Sequence, residues 1–154
     1  MDNRAAVYDD ARAYSLRDRD LHPELIDDLG HVTRMRLACR AAENLMLTDD
    51  ALARAGTNWA TLQQKIRVWV ASNGQHQYHA DVQAFVDDGF DRKVHDLKNI
   101  RNILVGLISN KPWEVLVGQS IAAAILDANP NVGEGSLSDY LGAKIWRQII
   151  LPAR

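Results

Sequence analysis

"LIDDLGHVTRMRLACRAAENLM", residues 25–46, decides the fold. Leu25, Leu29, Val32, Met35, Cys39, Ala42 and Met46 recur at steps of three or four, the spacing of one apolar stripe on a helix. Pro23, just ahead, suits a first helical turn, where its missing N–H costs nothing. The stretch predicts one long helix, weakened locally at Gly30 by about 1 kcal/mol relative to alanine.

Upstream, Asn3–Arg17 places Val7, Ala11 and Tyr14 on one side of a shorter helix. Downstream, Thr48 followed by Asp49 and Asp50 is a helix cap with two acids in the first turn, and that helix ends near Gly56. Thr57 caps the next, whose stripe is Trp59, Leu62, Ile66, Trp69 and Val70, and Asn73-Gly74 stops it with a residue able to turn left-handed. His79, Val82, Phe85 and Val86 share the face of another helix, ended by Asp88-Gly89. Asp91 caps a helix running to about Ser109, and Pro112 restarts the chain. Residues 113–128 are apolar nearly all round, as suits a helix in the middle of a core. Ser136 and Asp139 then form a capping-box pattern for a last helix with Leu141, Ile145 and Ile149 facing in.

No alternation of period two persists. The expected architecture is all-α: a single-domain irregular helical bundle of six to eight helices over residues 1–154, with a loop at 129–136 before the C-terminal helix.

At 154 residues the chain is the size of one domain, and 47% hydrophobic with 25% charged residues is an ordinary globular balance. A formal charge of −2 argues against a protein built to coat nucleic acid. Arg34, Arg36 and Arg40, a run able to bind phosphate, read as a solvated face that pairs with Glu43 or the acids at 27–28. The lone Cys39 excludes an internal disulfide or a cysteine-based zinc site and reads as a small core residue. Trp59, Trp69, Trp113 and Trp146 read as core or interface anchors. The N-terminus has no apolar core of signal-peptide length, and the longest apolar stretch, "VLVGQSIAAAIL" at 115–126, is too short and too polar to span a bilayer. A cytoplasmic protein with no membrane partner and no cofactor is expected. His76 and His79 stand three residues apart, a spacing two metal ligands can use, but no HExxH or ExxH pattern accompanies them and no metal site is expected.

The most suggestive motif lies at 91–106. At about 100° per residue, Asp91, His95, Asn99, Asn102 and Gly106 fall on one strip, with Lys98 beside His95 and Val94, Leu97, Ile100, Leu104 and Leu107 broadly opposite. "HDLKNIRNILVGLI", 95–108, resembles the phosphoacceptor box of sensor histidine kinases and of sporulation-type phosphotransferases. The resemblance implies that His95 is phosphorylated, that Asp96 assists proton transfer and that Asn99 positions the attacking water or the partner's phosphate. "HDLK" also partly resembles histidine-containing phosphotransfer domains, where Lys98 would offset phosphate charge. No glycine-rich ATP-binding module accompanies the box, so what is implied is a relay protein charged by a response-regulator aspartate, not a kinase.

Two functions are therefore expected in alternative. The favoured one is a non-enzymatic helical adaptor or regulator that docks on a protein partner, or on a second copy as a homodimer. Its binding face is Asp91, His95, Lys98, Asn99, Asn102 and Gly106, and Trp146, Ile149, Ile150 and Leu151 form a second candidate surface. The alternative is phosphotransfer, with His95, Asp96 and Asn99 as its machinery.

Overall fold

The structure, a computed structural model, describes residues 11–153. Ala13–Arg17 (β1) and Val32–Arg36 (β2) pair in parallel, with Tyr14 opposite Thr33 and Leu16 opposite Met35. This corrects two expected helices. The segment 13–17 is a strand, and the rest of Asn3–Arg17 up to residue 10 lies outside the described residues. The long helix from Pro23 is replaced by an irregular crossover over 18–31, then β2, then a short 3-10 helix, Ala42–Leu47.

The physical reason lies at Gly30. It takes φ +57°, a left-handed turn that lets Leu29 and Val32 exchange backbone hydrogen bonds at 3.0 and 2.9 Å. The crossover is then tied down by side chains. Arg36 donates to the Pro23 carbonyl (3.1 Å), while Lys144 reaches the Ile26 carbonyl (3.2 Å) and the Asp28 carboxylate (2.7 Å). The apolar period of 25–46 is thus split: Met35, Cys39 and Met46 are buried, whereas Leu25 and Leu29 are 77% and 67% exposed. The chain is mostly helical but not purely α.

Six α-helices of five residues or more follow among the described residues: α1 (Asp49–Arg54), α2 (Trp59–Ser72), α3 (His79–Asp87), α4 (Arg101–Ile108), α5 (Trp113–Leu126) and α6 (Leu137–Leu141). Thr48 caps α1 as expected, its hydroxyl accepting from the Ala51 N–H at 3.3 Å. Asn58, not Thr57, caps α2, accepting from Thr61 N–H at 2.9 Å. Asn73 closes α2 from its side chain, donating to the Trp69 carbonyl at 2.8 Å, with no left-handed residue at 73–74. Ser136 caps α6 through the Asp139 N–H at 3.1 Å.

The core gathers Leu45, Met46 and Leu47, Leu62 and Ile66 of α2, Val82 and Phe85 of α3, Leu104 of α4, Leu116 of α5 and Tyr140 of α6. α5 is not central: it buries Leu116, Val117, Ser120 and Ala124, while Val115 and Leu126 are 42% and 86% exposed. Gly142 at φ +89° ends α6, and the chain resumes as Ala143–Ile145 followed by a π-helical turn, Trp146–Ile150. That wider turn shifts the register by about one residue. Ile150 is buried in place of Ile149, so Trp146, Ile149, Ile150 and Leu151 do not form one surface: the first and third belong to the core.

Candidate functional site

The expected helix from Asp91 to Ser109 exists only as α4. Residues 91–100 form successive turns, and acidic side chains explain them. Asp88 Oδ1 accepts the Asp91 N–H (3.1 Å), Asp91 Oδ1 accepts the Val94 N–H (3.1 Å) and Asp96 Oδ1 accepts the Lys98 N–H (3.0 Å). Each bond gives the backbone an alternative to the helical ladder. Gly89 at φ +81° and Phe90 at φ +59° turn the chain out of α3 into this segment.

Buried Asn44 holds the segment in place. Its amide donates to the carbonyls of Arg92 and His95, both at 3.0 Å, and its oxygen accepts the Ala41 N–H at 3.2 Å. Arg40 N–H donates to the Lys93 carbonyl (2.9 Å), and its guanidinium reaches Asp96 at 3.4 Å. Arg92 and Lys93 line a cavity of about 490 Å³ beside Trp59, Gly135, Asp139 and Tyr140. Both cations are neutralised there, Arg92 by Asp49 and Lys93 by Asp139, each at 2.7 Å. Burial works to raise the Asp139 carboxyl, but the Lys93 ammonium and the Gly135 N–H outweigh it and hold the group below the ordinary carboxylate range.

His95 is neither on a helix face nor fully wet. Its side chain is 19% exposed, the ring rests on Phe85 with centroids 5.0 Å apart, and Nδ1 meets the Asp88 carboxylate. An ionised carboxylate only accepts, so the pairing places the proton on Nδ1 and leaves Nε2 as the free lone pair of the neutral ring. The acid expected to support His95 is Asp96, which instead binds Arg40 and the Lys98 N–H. Asp88 escapes a sequence reading because the Gly89-Phe90 turn brings it back onto a residue seven positions away. Asp91 and Gly106 are exposed but do not share a helix with His95. A Cβ placed on Gly106 meets open space.

Lys98, Asn99 and Asn102 do come together, with Arg101, His76 and Tyr78, around a cavity of about 410 Å³. His79 Nε2 sits 3.1 Å from the Val70 carbonyl, and His76 Nδ1 accepts the Tyr78 N–H at 3.1 Å. Among the described residues no group of three or more His, Cys, Asp or Glu is placed to hold a metal ion. A further cleft of about 390 Å³ opens at the carboxyl end of β1, where open parallel sheets gather ligands. Asp18, Asp20, Glu43 and Asp96 line it together with Arg40, Lys98 and Arg101, and the Arg40–Asp96 contact at 3.4 Å is the one ion pair within that set among the described residues.

The least expected feature is β1. Parallel sheets are normally covered on both faces, yet Tyr14 is 56% and Leu16 52% exposed. The Ala13 N–H donates to His31 and the Arg17 carbonyl accepts from Leu37, so the odd-numbered residues of β1 bond to β2. Alternate backbone groups of a strand point in opposite directions. The N–H and C=O groups of Tyr14 and Leu16 are therefore turned outward, where no described strand meets them. Among the described residues no helix is long and apolar enough to cross a membrane. Comparison with family models, curated proteins and solved structures returns no match.

Proposed function

We propose that this chain is a non-enzymatic interaction protein that docks on a second copy of itself through the outer edge of β1. The carrying observation is the edge that no described strand covers: outward N–H and C=O groups at Tyr14 and Leu16, flanked by exposed apolar side chains. Exposed edges of this kind template strand pairing unless they are blocked.

The sequence around Ser15 is self-complementary in the antiparallel sense. Centring two copies on Ser15 sets Tyr14 opposite the partner's Leu16 in hydrogen-bonded pairs, matching the parity of the outward groups. It also sets Arg12 opposite the partner's Asp18, pairing unlike charges. Aromatic–aliphatic and opposite-charge cross-strand pairs contribute roughly 0.2–1 kcal/mol each. The product is a four-stranded sheet, β2-β1-β1-β2, with closed two-fold symmetry.

The test is Leu16→Pro. Proline at an outward-bonding position removes the edge donor while leaving the bonds to β2 intact. Light scattering of the wild-type chain over a concentration series should show its mass rising toward twice the monomer, and Leu16→Pro should stay monomeric with unchanged helicity. A wild-type chain that remains monomeric at the highest concentration refutes the proposal.

A second reading, phosphotransfer at His95, is favoured by one observation, the Asp88 carboxylate on Nδ1, which leaves Nε2 as the nucleophilic nitrogen. Acetyl phosphate or a phosphorylated receiver domain should then form an acid-labile, base-stable adduct that His95→Gln abolishes. Asp88→Asn should slow its formation, and Asp96→Asn should leave it unaffected. Absence of the adduct removes this reading.

A further inference from the structure

The geometry points to a binding site for a small aromatic phosphate, such as a nucleoside monophosphate, in the cleft between the 76–78 turn and the start of α4. Lys98 and Arg101 both line this cavity of about 410 Å³, and no carboxylate is among its lining residues. Neither cation forms an ion pair among the described residues, although Arg40, Arg92, Lys93 and Lys144 all do. The neighbouring cleft at β1 contains four acids that compete for any cation facing it. No carboxylate lines the side toward His76 and Tyr78, where the nearest acid recorded is Asp81, 3.4 Å from the Asn99 amide, so an anion there meets two cations and amide donors.

The remaining polar groups agree with an anion. His76 Nδ1 is occupied by the Tyr78 N–H at 3.1 Å, which in the neutral ring leaves the proton on Nε2 and makes that nitrogen a donor. Asn99 and Asn102 add amide donors, and Asn99 reaches only Asp81, at a long 3.4 Å. An arginine beside a lysine suits a phosphate dianion, the guanidinium offering two parallel N–H bonds and the ammonium a point charge.

An organic portion follows from the size and the aromatic wall. The volume lies in the range of small-molecule sites and exceeds what a bare phosphate fills. The His76 ring is held at its edge by Trp69, with centroids 5.1 Å apart, and Tyr78 stands 6.0 Å from it, so two planar rings border the space beside the cations. Planar rings of a ligand stack on such walls with little regard to their substituents.

Titration calorimetry of the full chain with AMP, GMP, CMP and UMP tests this, with ribose 5-phosphate and inorganic phosphate as comparisons. At least one nucleotide should bind, more tightly than ribose 5-phosphate, with affinity falling as salt rises. Lys98→Gln/Arg101→Gln should lower that affinity at least tenfold, Lys98→Gln alone should lower it less, and Arg147→Gln, the same single charge loss as Lys98→Gln placed elsewhere, should leave it unchanged. Because neither cation has an ion-pair partner among the described residues, circular dichroism should be the same for all variants. No binding by any nucleotide overturns the proposal, as does equal binding of inorganic phosphate or binding that survives the double substitution.

Discussion

Arg92 donates to Asp49 at 2.7 Å and to the Leu47 carbonyl at 2.9 Å while its guanidinium lies 4.6 Å from the centre of the Trp59 ring. One side chain thus joins the cap of α1, the start of α2 and the turn segment 91–100. Gly135 abuts the same guanidinium: a Cβ there would collide with Arg92 and come within 2.9 Å of the Asp49 carboxylate, and its φ of +80° disfavours any side chain. Asp49 N–H donates to the Gly135 carbonyl at 2.8 Å, closing the cluster.

Gly135→Ala should therefore cost about 2–3 kcal/mol, from backbone strain together with overlap. Arg92→Ala should cost about 2 kcal/mol through the lost carbonyl bond and ring packing. Gly106→Ala is the contrast. It lies inside α4 with open space around it, and should stabilise by about 0.5–1 kcal/mol. Urea titration of the three variants orders them.

Asn44→Ala should destabilise by about 2–3 kcal/mol, because it strands the carbonyls of Arg92 and His95 and the Ala41 N–H. Hydrogen exchange should rise first across 91–97, the segment that Asn44 holds. Uniform exchange changes across α2 and α5 instead would mean that Asn44 serves the core as a whole.

Acid should weaken the fold. The Lys144 ammonium and the Arg34 N–H on Asp28 hold that carboxyl below its usual value of 3.8, and Asp139 is lowered as described above. A carboxylate lowered in the folded state contributes stability above the unfolded value and loses it as pH falls through the folded one. Unfolding midpoints should therefore be flat from pH 7 to about 5 and drop below about 4. Asp139→Asn should lower stability at neutral pH and flatten the acid drop.

Cys39 is fully buried, and burial pushes its thiol up to about 12. It should resist alkylation at pH 8 in the native protein and react promptly in about 6–8 M urea, a concentration chosen to exceed ordinary unfolding midpoints. Reaction under native conditions would show that the 37–39 segment opens locally.

The helices are legible where caps and stripes are local. Thr48, Ser136 and the Leu62/Ile66 and Val82/Phe85 pairs each carry their signal within a few residues. The strand pair is not, because β1 and β2 meet across residues 18–31, and the three-to-four spacing of Leu25, Leu29, Val32 and Met35 satisfies a helix as well as a turn followed by a strand. The segment 91–100 misleads for a different reason. Its apolar period is helical, but Asp88, Asp91 and Asp96 capture nearby N–H groups and Asn44 captures two carbonyls, so side chains replace the ladder. Of the expected binding face, Lys98, Asn99 and Asn102 remain together, while the partner of His95 is found only once the Gly89-Phe90 turn is known.

The charge pair expected across β1 gives the most direct test of self-docking. Arg12→Asp alone should set two carboxylates against each other, the introduced one facing Asp18 of the second copy. Asp18→Arg alone should likewise set two guanidinium groups together, the introduced one facing Arg12 of the second copy, while also losing the Ala42 N–H bond that the Asp18 carboxylate accepts at 2.9 Å. Each should weaken dimerisation, by about three- to tenfold for each of the two symmetry-related exposed pairs turned repulsive. Combining both on one chain restores unlike pairs, so light scattering should show the dimer of Arg12→Asp/Asp18→Arg recovering toward wild type. Single substitutions without effect, or a double variant as weak as the sum of the two, would contradict docking through β1.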